Sequence, residues 1–154
     1  MMPLAPTRTA MYRSRLSGLL LGVAFMAGVD EIIFHQVLGW HHFYDPSTPA
    51  VALLSDGLLH AAELMATVAG IFLLVDTLRA QALVFPFFWA GLFLGLSGFQ
   101  LFDGIVNHKV LRIHQVRYDV PPLPYDLTWN LFGLVLLLIG VALHRRATRR
   151  TPGP

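Results

Sequence analysis

Along the chain, four long apolar runs alternate with three short polar connections. The runs cover about 16–40, 53–75, 82–106 and 127–143. Each is long enough to cross about 30 Å of hydrocarbon as an α-helix. Between them lie "HHFYDPSTPA", "DTLRAQ" and "HKVLRIHQVRYDVPPLPY". The first and third carry the prolines and turn formers that stop helices; the middle one is a tight turn. The pattern predicts an all-α integral membrane fold with four transmembrane helices. A four-helix domain at 14–146 would comprise one hairpin at about 14–76 and another at about 82–146. A cytoplasmic N-terminal tail, 1–13, and a basic, flexible tail, 147–154, would flank it.

Composition agrees. Of 154 residues 55% are hydrophobic and 13% charged, against about 25% charged in soluble domains. A pI near 9.4 would point a soluble chain towards nucleic acid. Here the basic residues sit at the ends of apolar runs and set topology instead. Arg8, Arg13, Arg15, Arg79, Arg145, Arg146, Arg149 and Arg150 fall on one side; Lys109, Arg112 and Arg117 fall on the other. The expectation is a multi-pass protein of the bacterial inner membrane, both termini cytoplasmic and both longer connections outside. "RSRLSGLLLGVAFMAG" also has the parts of a cleaved signal peptide, a reading the duplication described next argues against. No cysteine is present, which excludes disulfides, thiolate metal sites and cysteine nucleophiles. No phosphate loop, nucleophile elbow, HExxH or haem-attachment motif occurs, so neither a nucleotide nor covalently attached haem is expected.

Shifted by 73 positions, "DEIIFHQVLGWH" (30–41) overlies "DGIVNHKVLRIH" (103–114), with six of twelve positions identical. The matches include Asp30/Asp103, His35/His108 and His41/His114. The following helices echo one another more weakly, Asp56 and His60 against Asp126 and Asn130. This predicts two tandem duplicated hairpins, a parallel repeat with a pseudo-two-fold along the membrane normal. The first helix is then half of one unit and is expected to be retained.

The duplication brings the polar residues to one membrane level. Asp30, Glu31, His35, Asp103, Asn107 and His108 close the outgoing helices; Asp56, His60, Glu63, Asp126 and Asn130 open the returning ones. An ionisable group at bilayer depth costs a few kcal/mol and is a functional candidate by default. For Asp56 and Asp126 the plain alternative is helix N-capping. Asp30 with His35, and Asp103 with His108, lie about 140° apart on a regular α-helix, so both cannot face the axis unless a local bulge re-aims one. His35, His60 and His108 are the expected ligands, helped by Glu31, Glu63, Asp56 or Asp103, since imidazole with carboxylate suits zinc, copper or non-haem iron. Asp30, Asn107, Asp126 and Asn130 would orient them, with His41 and His114 at the lip. Trp40, Phe43, Tyr44, Tyr118, Tyr125 and Trp129 read as an interfacial aromatic belt. Gly57, Gly70, Gly91, Gly95 and Gly98 read as packing positions.

"GVDEIIFHQVLGWHHFYD", "LLSDGLLHA", "LFDGIVNHKVLRIHQVRYDV" and "YDLTWN" resemble a bacterial family of small four-helix membrane proteins catalogued as domain of unknown function 2243. The resemblance covers about 14–144. It implies a neighbourhood with the assembly factor that delivers copper to cytochrome c oxidase, and through it metal handling. The expectation is therefore a membrane metal-binding protein holding copper or zinc in an outward-opening site, in metal or redox handling near oxidase assembly. A membrane metallohydrolase acting on a lipid-like substrate, with Glu31 or Glu63 as general base, is the second reading. An ion path and a purely structural polar seam complete the alternatives. The lipid bilayer is the one partner the sequence requires; the oligomeric state stays open.

Overall fold

The computed structural model describes residues 6–150; the expectations for the outer parts of the two tails, 1–5 and 151–154, lie outside the described residues. Helix α1 (Arg8–Val29) runs directly into a π-helix, π1 (Asp30–Val37). Helix α2 (Pro49–Arg79) returns. Helix α3 (Phe85–Leu101) runs into a second π-helix, π2 (Phe102–Leu111), and α4 (Pro122–Arg150) returns again. Each of the four rods is long and apolar enough to cross a membrane, and no strand occurs among the described residues.

The helix starts follow local chemistry. The Thr7 hydroxyl accepts from the Ala10 N–H at 3.2 Å, and Thr48 does the same for Val51 at 3.4 Å. Pro49 follows Thr48 at the first helical position, where its missing N–H leaves nothing unpaired. Asp56 and Asp126 therefore cap nothing: each lies beyond the first turn of its helix. The capping expected of them gives way to a role inside the bundle. α1 and α4 extend beyond the apolar runs, from Arg8 and to Arg150, so residues 8–13 of the N-terminal tail and 147–150 of the C-terminal one are helical.

The two outgoing helices form the centre. α1 packs on α2 and α3, and α3 packs on α4; no Cα of α2 comes within 8 Å of one in α3 or α4, nor any of α1 within 8 Å of one in α4. Gly18 and Gly22 of α1 and Gly91 and Gly95 of α3 line the α1–α3 seam, each against backbone of the other helix. A Cβ at Gly22 would lie 2.2 Å from the Leu92 carbonyl oxygen, and one at Gly95 2.2 Å from that of Leu19. Gly18 and Gly91 are as tight, at 2.1 Å from the Phe88 and Arg15 oxygens. Lipid supplies no hydrophobic force between helices, so close backbone approach through small residues is what holds them. Gly70 and Gly140 play the same part at the flanks, receiving Leu21 and Leu94. Gly57 and Gly98 do not: nothing lies within 4 Å of a Cβ at either. The outer faces carry exposed Phe25, Leu58, Met65, Phe72 and Leu138, apolar surface suited to lipid.

The outer ends of α1 and α3 share one local build. After π1, Gly39 turns the chain at φ +57°, and after π2, Arg112 does so at φ +53°. The Trp40 N–H donates to the Phe34 carbonyl at 2.9 Å, and the Ile113 N–H to the Asn107 carbonyl at 3.0 Å. Each of these pairs is separated by the 73 residues read from the sequence. The left-handed turns fold the chain back over the helix ends, which decides where the next histidines go.

Candidate metal centre

The π-helices resolve the phase conflict. With i→i+5 hydrogen bonds, residues five apart come close to one face, and Asp30 meets His35 as Asp103 meets His108. The His35 Nε2 lies 3.6 Å from Asp30 Oδ2, and the His108 Nε2 lies 3.0 Å from Asp103 Oδ2. Each left-handed turn then delivers a second imidazole. His41 Nε2 lies 3.8 Å from Asp30 Oδ1, and His114 Nε2 3.1 Å from Asp103 Oδ1. His41 and His114 thus sit inside the bundle, 3% and 2% exposed, although their place in the connections read as a wet lip. The result is two Asp–His–His groups, Asp30/His35/His41 and Asp103/His108/His114, each with one donor atom per residue within 4.8 Å of the others.

The groups adjoin across the α1–α3 seam. The His41 and His114 rings stack at 4.7 Å between centroids, 8° from parallel. His35 and His41 lie edge to face at 4.5 Å, as do His108 and His114 at 4.7 Å. Six residues of both hairpins form one buried cluster.

The other imidazole nitrogens are anchored outward. His41 Nδ1 bonds the Val116 carbonyl at 2.9 Å and His114 Nδ1 the Phe43 carbonyl at 2.8 Å. These are reciprocal bonds between hairpins. A carbonyl can only accept, so each Nδ1 carries a proton; His41 Nε2, 3.8 Å from the Asp30 carboxylate, keeps its lone pair, whereas His114 Nε2 stands within hydrogen-bonding distance of Asp103 Oδ1. His35 Nδ1 lies 2.9 Å from Glu31 Oε2 and 3.1 Å from Asp56 Oδ1, while His108 Nδ1 is 4.0 Å from Asp126 Oδ1. Two carboxylates converging on His35 make a third group, Glu31/His35/Asp56, also able to hold a cation. Histidine ligands are commonly fixed in this way, by a carboxylate or carbonyl on the far nitrogen.

Most of the inward-facing donor atoms have no hydrogen-bond partner; Asp103 Oδ1 and His114 Nε2 are the exceptions. Both Asp30 oxygens, Asp103 Oδ2, and the Nε2 atoms of His35, His41 and His108 are buried without a hydrogen bond among the described residues. His41 is held neutral, its pKa pushed down to about 3 by burial and then by the neighbouring His114 and His35. For His114 burial acts the same way, but the Asp103 carboxylate outweighs it and the pKa rises.

Other expected residues take supporting places. Asp56 accepts from the Phe43 N–H at 2.8 Å and contacts His42 Nδ1 at 2.6 Å, holding the first connection over the cluster. Asp126 pairs with Lys109, and Asn130 donates to the Asp126 carbonyl at 2.8 Å. Asn107 donates to Asp103 Oδ1 at 2.9 Å. His60 and Glu63 are not brought to the cluster. They bond each other at 3.1 Å, the imidazole 47% exposed, and the Glu63 carboxylate fills the space beside Gly28. Glu63 shares the helical phase of Asp56, but seven residues place it about 10 Å deeper, below the start of π1. Depth separates it, not phase.

The hairpins differ at two points that spacing alone did not reveal. Phe34 stands where the second hairpin has Asn107, so Asp30 lacks the bond that Asp103 receives. Glu31 stands where the second has Gly104, against which Asn130 and Trp129 pack. The carbonyls of Phe43 and Val116, 73 residues apart, had no signal in side-chain chemistry.

No curated protein and no solved structure matches the chain. One family model does, described as a predicted membrane protein and matched over residues 17–147. The chain, with its four membrane-length helices and paired Asp–His–His groups, belongs to that membrane-protein family, domain of unknown function 2243.

Proposed function

We propose that this is an integral membrane metalloprotein binding transition-metal ions at the Asp30/His35/His41 and Asp103/His108/His114 groups. One observation carries the reading. Both Asp30 oxygens, Asp103 Oδ2 and the Nε2 atoms of His35, His41 and His108 converge without hydrogen-bond partners among the described residues, while the Nδ1 atoms of His41 and His114 are fixed on carbonyls outside. A buried carboxylate without a cation is costly, and Asp30 and Asp103 are each 1% exposed. Lys109 is taken by Asp126, so a bound metal ion supplies the missing charge.

Two imidazoles with one carboxylate, and no sulfur donor, favour zinc, iron(II) or copper(II) over copper(I). Adjacent groups of this kind suit a two-metal centre. Glu31 and Asp56 orient His35, Asp126 faces His108, and Asn107 holds Asp103. The distribution of Lys and Arg supports cytoplasmic termini and a centre near the outer face of a bacterial inner membrane. Its role would be metal or redox handling there, and the family resemblance supports copper handling around oxidase assembly. A hydrolytic use of the same metals on a lipid-like molecule is the second reading, favoured by the opening beside Asp30 treated below.

Metal analysis of purified protein, as isolated and after reconstitution, is the test. One to two equivalents per chain are expected, lost in the double variant His41→Ala/His114→Ala and kept in His60→Ala. Stoichiometry near zero in the wild type, or retained in the double variant, overturns the proposal.

A further inference from the structure

Beside the first Asp–His–His group lies a cavity of about 490 Å³ between α1 and α4, two helices whose Cα atoms nowhere come within 8 Å of each other. Its walls are apolar and aromatic, with Met26, Val29, Phe34, Trp129 and Phe132 among them, and Asp30 is its one carboxylate. That carboxylate is 1% exposed and neither oxygen has a hydrogen-bond partner. The volume is in the range of small-molecule sites, which are mostly apolar with a few fixed polar groups.

The cavity has a direction. At the outer end Trp40 and Tyr125 meet edge to face at 5.8 Å. Arg117 covers both, its guanidinium 5.0 Å from the Trp40 ring and donating to the Tyr125 hydroxyl at 3.0 Å. Phe132 lies seven residues along α4 from Tyr125, about 10 Å deeper. A cationic, aromatic mouth thus leads past Asp30 into an apolar channel that follows the helices. The cavity does not reach Asp103, and in the second hairpin the position of Phe34 is taken by Asn107, which ties the carboxylate down.

We infer that this cavity binds a single-chain amphiphile with an oxygen-donor head. The head would reach the metal held by Asp30, His35 and His41, and the chain would lie along Val29, Met26 and Phe132. The inference rests on the metal proposal and adds a ligand class to it. It also divides the labour: the Asp30 group faces the ligand, and the Asp103 group stabilises the centre.

The test uses the full chain in nanodiscs, loaded with Co(II), whose visible spectrum reports changes in coordination. Dodecanohydroxamic acid is compared with acetohydroxamic acid, both reckoned as concentration at the membrane. The long-chain probe is expected to perturb the spectrum at least tenfold more tightly. Val29→Phe and Thr128→Phe, at two residues that line the cavity from α1 and α4, are each expected to remove that preference while leaving Co(II) stoichiometry and the acetohydroxamate response unchanged. Bound Co(II) with no chain-length preference, or a preference that survives in whichever filled variant retains Co(II), overturns this inference and leaves the metal proposal standing. Failure of wild type to bind Co(II) overturns both.

Discussion

Gly22→Ala tests the seam on which the whole centre depends. The added methyl would lie 2.2 Å from the Leu92 carbonyl oxygen and 2.9 Å from the Leu96 N–H nitrogen. Ordinary contact begins at about 3.4 Å, so α1 and α3 must part by about 1 Å. The obstruction is backbone, which has no rotamer to escape into. Overpacking of this kind costs about 1–3 kcal/mol, and the greater helix propensity of alanine returns at most about 1 kcal/mol. Gly98→Ala is the internal control, a glycine in α3 with nothing within 4 Å of its Cβ. The expected change there lies between zero and about 1 kcal/mol in the stabilising direction. Reversible unfolding in mixed micelles, followed by circular dichroism, measures both. The separation also stretches the bonds from His41 to Val116 and from His114 to Phe43, so metal affinity should fall about 10–100-fold in Gly22→Ala, as when supporting contacts of metal ligands are lost. Wild-type stability in Gly22→Ala, or equal losses in both variants, would refute the argument that close approach at these glycines holds the bundle.

Bound metal should raise the thermal midpoint, by the equivalent of about 2.7 kcal/mol at a hundredfold excess over Kd; a chelator that leaves the midpoint of the metal-loaded protein unchanged counts against the centre. Glu63→Gln and His60→Ala, away from the cluster, should leave metal content intact, and loss of metal in either would contradict the assigned ligand set. Asn107→Ala should weaken metal binding about 10–100-fold by freeing Asp103, whereas Phe34→Ala should leave metal affinity near wild type; isothermal titration separates them, and equal effects would deny the asymmetry. Asp56→Asn should lower affinity by a similar factor through His35, and unchanged titration would remove Asp56 from the support of that ring.

Fold and topology were legible because a membrane restricts what a sequence can do. Four apolar runs must become four helices, since no unpaired backbone survives in lipid. The shift of 73 residues likewise picked out Asp30, His35 and His41 with their partners as related sets before any helix was placed. Sequence periodicity could not show that both outgoing helices change to π-helix at Asp30 and Phe102. On an α-helix Asp30 and His35 diverge, and that change of pitch is what puts them together. Nor could it show that His41 and His114 turn inward, because their positions follow from left-handed residues at Gly39 and Arg112. His60 and Glu63 share a helical stripe with Asp56, but they pair with each other, and Glu63 lies too deep to reach the cluster. The sequence by itself determined the four spans and the identity of the repeated donors, because hydropathy and chemical type are local properties. Tertiary structure decided which donors meet, because that depends on helix pitch, on backbone contact at Gly18, Gly22, Gly91 and Gly95, and on two carbonyls that no side chain announces.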